Sequence, residues 1–148
     1  MSRLDLLFIP LTHSLSHSQE RRPTLILVRS GDFTFGAYIS HPLEYSGGWC
    51  GSPACFLFST TLGIKLPYHG RNPPAAANGA PVAVYVDKQK LVLGNYDVVL
   101  NKDLTSGTCA LEQCYGVGLA LGSTEAGCFL AGRSDFEIDD LELFSVIA

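Results

Sequence analysis

Cysteine and histidine are the residue types in this 148-residue chain that could act as nucleophiles, redox centres or metal ligands. Four of the five cysteines form two pairs with a five-residue spacing, Cys50 with Cys55 and Cys109 with Cys114, while Cys128 stands apart. Zinc knuckles and redox pairs use the closer Cys-x-x-Cys spacing. The spacing therefore predicts neither a zinc knuckle nor a dithiol redox motif.

Cys50 and Cys109 remain the two candidates for single-thiol redox chemistry. Cys50 follows Trp49 in a glycine-rich turn where a thiol can be exposed to oxidants. A reactive thiolate needs a nearby cation or a helix N-terminus, and the sequence around Cys50 supplies neither. Cys55 lies in an apolar run and is expected to be a small buried hydrophobic residue.

His13 and His17 have the four-residue spacing that places two imidazoles on one helix face. The sequence has no glutamate between them and no evident third ligand, and the surrounding serines favour a polar turn. We therefore predict no metal site and no cofactor.

Two further enzyme classes lack their sequence signatures. Gly51-Ser52-Pro53 is not a nucleophile elbow, because Pro53 has no backbone N–H to donate to an oxyanion. The phosphate-binding pattern G-x-x-x-x-G-K-[ST] is absent from the sequence. We predict that the protein is not an enzyme, with a cysteine-dependent antioxidant activity as the alternative.

Acidic residues are concentrated in the C-terminal half of the chain. They are Asp87, Asp97, Asp103, Asp135, Glu137, Asp139, Asp140 and Glu142. Two interpretations stay open, a solvated sheet edge whose charges prevent aggregation and a negative surface that docks a basic partner. For the second interpretation, the candidate partner-binding residues are Asp103, Asp139, Asp140 and Glu142.

Composition limits the partners and the compartment. The net charge is −4, and no basic run extends beyond Arg21-Arg22. Nucleic-acid binding requires clustered cations, so we predict that the protein does not bind nucleic acid. No apolar run approaches the roughly 18 residues of a spanning helix, which predicts no direct membrane insertion. The odd number of cysteines and the lack of an evident signal segment predict a cytoplasmic protein, in preference to a mitochondrial one.

The pattern of short apolar runs predicts a mainly β fold. Residues 25–28 and 33–40 flank a Ser-Gly-Asp turn and predict a hairpin. Residues 82–86, 91–93 and 96–100 predict a three-stranded meander. The last strand changes its alternation at Asp139-Asp140, which predicts a β-bulge or a strand covered on both faces. We expect a single domain over residues 1–148, built from two antiparallel sheets packed as a sandwich with one or two short helices.

An ordered series of motifs resembles the TLDc domain of the oxidation-resistance protein family. The matching segments, in chain order, are LLF at 6–8, PTL at 23–25, FGAYIS at 35–40, GS at 51–52 with CFLFS at 55–59, KLPYHGRN at 65–72, LG at 93–94 with the DL-x-x-G-x-C run at 103–109, and FEI with LELF at 136–144. The chain departs from the family pattern in its shortened N-terminal helical part and its reduced glycine cluster at Gly94. Phe144 stands where the family usually has tryptophan, and residues 114–133 are longer than usual.

The resemblance implies a non-catalytic interaction domain linked to oxidative-stress protection. It also implies a protein partner, with subunits of the vacuolar proton-pumping ATPase as the expected one, at the surface of acidic organelles. The loops at 70–81 and 114–133 are expected to present binding residues together with an acidic rim, which consists of the candidate residues Asp103, Asp139, Asp140 and Glu142. A thiol-based redox enzyme, a structural subunit of a larger assembly, and a divergent gene product that folds poorly remain the alternatives.

Overall fold

The computed structural model describes residues 5–8, 23–40, 49–50, 52–73, 82–87 and 89–147. These residues contain twelve strands and one helix. The strands are β1 (Asp5–Phe8), β2 (Thr24–Ser30), β3 (Phe33–Ile39), β4 (Trp49–Cys50), β5 (Phe56–Ser59), β6 (Ile64–Pro67), β7 (Val84–Val86), β8 (Lys90–Leu93), β9 (Val98–Asn101), β10 (Ser106–Cys109), β11 (Asp135–Glu137) and β12 (Asp140–Ile147), and the helix is α1 (Thr124–Cys128).

The strands form two six-stranded sheets in which every neighbouring pair is antiparallel. The first sheet has the order β1-β12-β2-β3-β5-β6, and the second has the order β11-β10-β9-β8-β7-β4. One hydrophobic core contains side chains from both sheets. Across it, Phe35 of the first sheet meets Phe136 of the second edge to face, with ring centroids 5.3 Å apart. The predicted antiparallel sandwich is confirmed.

The hairpin of β2 and β3 shows how alternation creates this core. Ile26 and Val28 are buried and lie opposite Ala37 and Phe35, which are buried as well. The residues between them face away from the second sheet, as the two-residue period of a strand requires. On that outer face a Cβ at Gly36 would collide with the backbone carbonyl of Ile26 and with the Phe58 ring. Glycine at this position therefore lets the Phe58 ring lie against the backbone of the sheet.

The C-terminal strand prediction was wrong. Residues 135–147 form two strands, β11 in the second sheet and β12 in the first, rather than one strand with a bulge. The change of alternation at Asp139-Asp140 marks the point where the chain passes from one sheet to the other. The apolar residues of each sheet must face the shared core, so the alternation of inward-facing and outward-facing residues must change where the chain changes sheets.

One other region differs from the sequence prediction. Tyr96 lies in the turn before β9 with a φ of 66° and is not part of a strand. Ser106 and Gly107 begin β10, although glycine weakens the interior of most strands. A Cβ at Gly107 would collide with the Phe136 ring, so the strand tolerates glycine because a neighbouring aromatic ring covers it.

The turns gather at two opposite ends of the sandwich. At the first, the Asp139 end, Ile138 donates its amide to the carbonyl of Thr105 at 2.8 Å, and Asp139 donates to Arg29 at 2.9 Å. At the second, the Asp97 end, Ala110 donates to the carbonyl of Asp97 at 2.8 Å. The two ends carry different candidate sites.

Some predictions fall on residues outside the described ranges. These are the His13–His17 pair, the Arg21-Arg22 pair, and most of the loop at 70–81. No helix among the described residues has the length and apolarity to cross a membrane.

Candidate functional site

Asp97 is a buried carboxylate that organises one end of the sandwich. Its side chain is completely excluded from solvent, yet both oxygens have hydrogen-bond donors. Oδ1 accepts the backbone amides of Asn95 and Cys114, both at 3.0 Å, and Oδ2 accepts those of Gln113 and Tyr115 at 3.0 and 3.1 Å. One side chain thus joins the turn before β9 to the segment that follows β10.

The turn before β9 is shaped to admit this carboxylate. Gly94 has a φ of 67°, and a Cβ there would collide with the Asp97 carboxylate. Burial raises the pKa of Asp97 to about 7, although the four amides act to lower it. Asp97 was grouped with acids expected at the surface, either on a solvated sheet edge or on a negative docking surface, and both interpretations are wrong for this buried residue. Three of its four partners lie 16 to 18 residues further along the chain, where sequence spacing gives no sign of them.

Glu112 organises the next part of the same segment in the same way. Its Oε2 accepts the backbone amides of Val117, Gly118 and Leu119 at 2.8, 3.1 and 3.0 Å. Glu112 has a φ of 76°, and a Cβ at Gly116 would collide with its carboxyl group. The sequence places Glu112 among glycines and apolar residues, and only the structure reveals its role.

His69 faces the second oxygen of Glu112. Its Nε2 lies 3.6 Å from Oε1 of Glu112, which is beyond normal hydrogen-bond length but close enough for electrostatic attraction. The side chains of His69 and Glu112 are 15% and 4% exposed. Burial lowers the pKa of His69, Arg71 lowers it further, and Glu112 opposes the shift. The imidazole is therefore neutral at neutral pH.

The segment held by these carboxylates ends in an exposed apolar loop. Val117 and Leu121 are 40% and 52% exposed, so they are two of the most exposed large hydrophobic residues among those described. Ser123 ends the loop by accepting the amide of Ala126 at 3.1 Å and capping helix α1. The buried carboxylates fix the backbone of residues 113–119, the first part of the expected 114–133 loop, and leave the side chain of Val117 accessible.

The predicted acidic rim lies at the Asp139 end. Asp103 and Asp139 are exposed and cap neighbouring turns, since Asp103 accepts the amide of Thr105 at 3.1 Å and Asp139 accepts that of Gly31 at 2.6 Å. The hydrogen bonds to Thr105 hold the pKa of Asp103 below its usual value. Both carboxylates thus stabilise turns while remaining accessible.

Asp140 and Glu142 begin β12 beside this rim. Asp140 is exposed and lies opposite Arg29 of β2, whereas Glu142 is half-buried and lies opposite Leu27. The structure therefore brings Asp103, Asp139 and Asp140 together at one end, with Glu142 further along the outer face of the first sheet. Whether they bind a partner stays a prediction.

An open, polar cavity of about 290 Å³ lies along β10 and β11. Arg133, Asp135, Glu137 and Ser106 are among the residues that line it. Asp135 and Glu137 are exposed. The cavity extends the acidic surface from the Asp139 end along the edge of the second sheet.

Cys109 and Cys114 lie in buried environments that disfavour thiolates. Cys55, Cys109 and Cys114 are buried and free. Burial raises the pKa of Cys109 to about 12 and that of Cys114 to about 11, and the nearby Asp97 contributes to both shifts. Cys50 is in β4 opposite Val84. The raised pKa makes Cys109 a poor nucleophile.

Within the described ranges, no group of three or more histidine, cysteine or acidic side chains is arranged to hold a metal ion. Asp97 and Glu112 instead direct their oxygens at backbone amides, an arrangement that rigidifies loops.

Comparison with known proteins gives one family match. The family model for the TLDc domain matches residues 11–147. No curated protein matches the chain at a significant level. The matched region contains β2 to β12, both buried carboxylates and the acidic rim. Because the match covers nearly the whole chain, this protein belongs to the TLDc domain family.

Proposed function

We propose that this protein is a non-catalytic TLDc interaction domain that binds and regulates the vacuolar proton-pumping ATPase. Membership of the TLDc family indicates a function related to oxidative stress. The family match over residues 11–147 is the observation that carries the proposal. In this role the protein acts at the cytoplasmic surface of acidic organelles.

The geometry supports binding through the Asp139 end. Asp103 and Asp139 are held in place by turn hydrogen bonds, and Asp140 is exposed beside them. Fixed carboxylates on a rigid sandwich attract a basic surface and lose little side-chain entropy when they bind it. Asp135 and Glu137 continue the negative surface along β11.

Crosslinking mass spectrometry on native cell lysate tests the partner and the surface together. We expect crosslinks between this protein and subunits of the proton pump, and weaker association as ionic strength rises. The charge-reversed variant Asp140→Lys, combined with Glu142→Lys, should lose the association. Glu125→Lys on helix α1 is the matched control, because Glu125 is exposed and belongs to neither the rim nor β12.

Two results would contradict this proposal. Recovery of no pump subunit, with a known pump interaction recovered in the same lysate, argues against the partner. Equal loss of binding in the Glu125→Lys control argues against the Asp139 end as the contact surface and for a general effect of charge.

A further inference from the structure

The two ring nitrogens of His69 lie in environments that suit only its neutral form. Nδ1 accepts the backbone N–H of Arg71 at 3.1 Å, so the ring proton of the neutral imidazole must be on Nε2. Nε2 is buried and has no hydrogen-bond partner among the described residues. A buried donor without a partner is rare in folded proteins and often marks a functional constraint.

Protonation of His69 is incompatible with this arrangement. A second ring proton would sit on Nδ1 and point at the N–H of Arg71, so two donors would face each other. The hydrogen bond from the Arg71 N–H to Nδ1 would have to break, and the turn at 69–72 would have to change its shape. A protonated ring would gain attraction to Glu112, which at 3.6 Å is the facing acid.

The turn at 69–72 is attached to the segment that Glu112 and Asp97 organise. The backbone amides of His69 and Gly70 donate to the carbonyl of Cys114 at 2.7 and 3.1 Å. The amide of Asn72 donates to the carbonyl of Gln113 at 2.8 Å. A change of shape in this turn therefore pulls directly on residues 112–115.

Charged and titratable groups reach His69 from two described segments. Arg71 comes from its own turn and disfavours protonation, while Glu112 comes from the facing segment and favours it. The same segment contributes Cys114 and Tyr115, and burial raises the pKa of both. Asp97 binds the amides of this segment, and because burial raises its pKa to about 7 it gains a proton in an overlapping pH range. A test must separate Asp97 from His69.

We propose that His69 is a pH-operated latch on the turn at 69–72: as the neutral Nε2–H tautomer it fixes the shape of this turn, and on protonation it loses its hydrogen bond to the Arg71 amide and the turn changes shape. Its ordinary pKa is 6.5 and burial in the fold lowers it. The latch is therefore fully closed above about pH 6.5 and opens as the pH falls through the lower value. The latch is separate from the binding proposed for the Asp139 end, and either can fail alone.

Amide hydrogen exchange of the whole chain, followed by NMR, tests the latch against the variant His69→Gln. Glutamine keeps a donor and an acceptor but does not titrate between about pH 7.5 and pH 5. We expect protection of the backbone amides of the turn at 69–72 to fall about tenfold more in the wild type than in the variant over this range, since one hydrogen bond is lost. Protonation of Asp97 stabilises the fold over the same pH range, so it should raise protection equally in both proteins, and the difference between them reports on His69.

Nitrogen-15 spectra of the wild-type imidazole provide a test that needs no variant. We expect the Nε2–H tautomer at neutral pH and a titration below pH 6.5. In the variant Glu112→Gln, the His69 imidazole should titrate at a still lower pH, because Glu112 raises the pKa of His69. An Nδ1–H tautomer, or exchange rates that do not follow the titration of His69, would overturn the proposal.

Discussion

Replacement of Gly116 by alanine separates the role of Glu112 from the general cost of altering a glycine. The added Cβ would collide with the carboxyl group of Glu112. Glu112 would then have to leave the amides of Val117, Gly118 and Leu119, which its Oε2 accepts at 2.8 to 3.1 Å. We expect the loop to lose its fixed shape and the protein to lose stability.

The expected loss of stability follows from those three hydrogen bonds. A hydrogen bond to a charged group contributes about 1.5–3 kcal/mol. Val117 and Gly118 are exposed, so water can replace most of what their amides lose, while Leu119 is half-buried. One bond lost in full together with some overpacking gives about 3 kcal/mol for Gly116→Ala.

Gly122→Ala is the control for a glycine replacement without a collision, because open space surrounds the Cβ position of Gly122; its φ of 75° adds a backbone strain that Gly116 does not have. That variant should cost only about 1–2 kcal/mol of backbone strain. Urea unfolding followed by circular dichroism measures both variants.

A double-mutant cycle with Glu112→Ala completes the test. If Gly116→Ala acts by expelling the carboxylate, the two substitutions remove the same hydrogen bonds, and their combined cost is well below the sum. Additivity within about 0.5 kcal/mol would refute the reasoning. A cost for Gly116→Ala no larger than that of Gly122→Ala would refute it as well.

Three further predictions concern other parts of the fold. The ordinary pKa of Asp97 is 3.8 and burial raises it to about 7, so its contribution to stability is complete below about pH 4 and is lost as the pH rises through about 7. Asp97→Asn should flatten this decline in urea unfolding at pH 5 and pH 8, and a wild-type advantage that grows with pH would contradict the direction of the shift. Gly36→Ala should lower the free energy of unfolding by at least about 3 kcal/mol, because the added Cβ collides with the Ile26 carbonyl. Gly63→Ala should cost less, because open space surrounds the Cβ position of Gly63. Equal decreases in melting temperature for the two variants would count against this explanation. The purified protein should not consume peroxide faster than buffer, since the pKa of Cys109 is raised to about 12; consumption that Cys50→Ser or Cys109→Ser abolishes would support an enzyme.

The sequence predicted the parts of the fold that depend on neighbouring residues. The β2–β3 hairpin followed from apolar runs on both sides of the Ser30-Gly31-Asp32 turn, and the two strands pair antiparallel around that turn. The strands β7, β8 and β9 also occur in the predicted meander. Local alternation and turn residues determine such elements directly.

The sequence could not predict the contacts that join distant segments. Asp97 was expected to be a surface acid because its distant amide partners, Gln113 to Tyr115, belong to another segment of the chain. The pairing of His69 with Glu112 spans 43 positions along the chain. A single sequence carries no signal for either contact, so the Asp97 end could not be recognised from the residues alone.

The placement of β12 between β1 and β2 affects how the protein folds during its synthesis. This strand is synthesised after all the other described strands, yet it is an interior member of its sheet. It pairs with β2 over Asp140 to Ser145 and with β1 over Phe144 to Ile147. Until β12 leaves the ribosome, β2 presents an unsatisfied edge to the surrounding solvent. The first sheet can therefore be completed only after β12 is synthesised, and until then the open edge of β2 can pair with other chains.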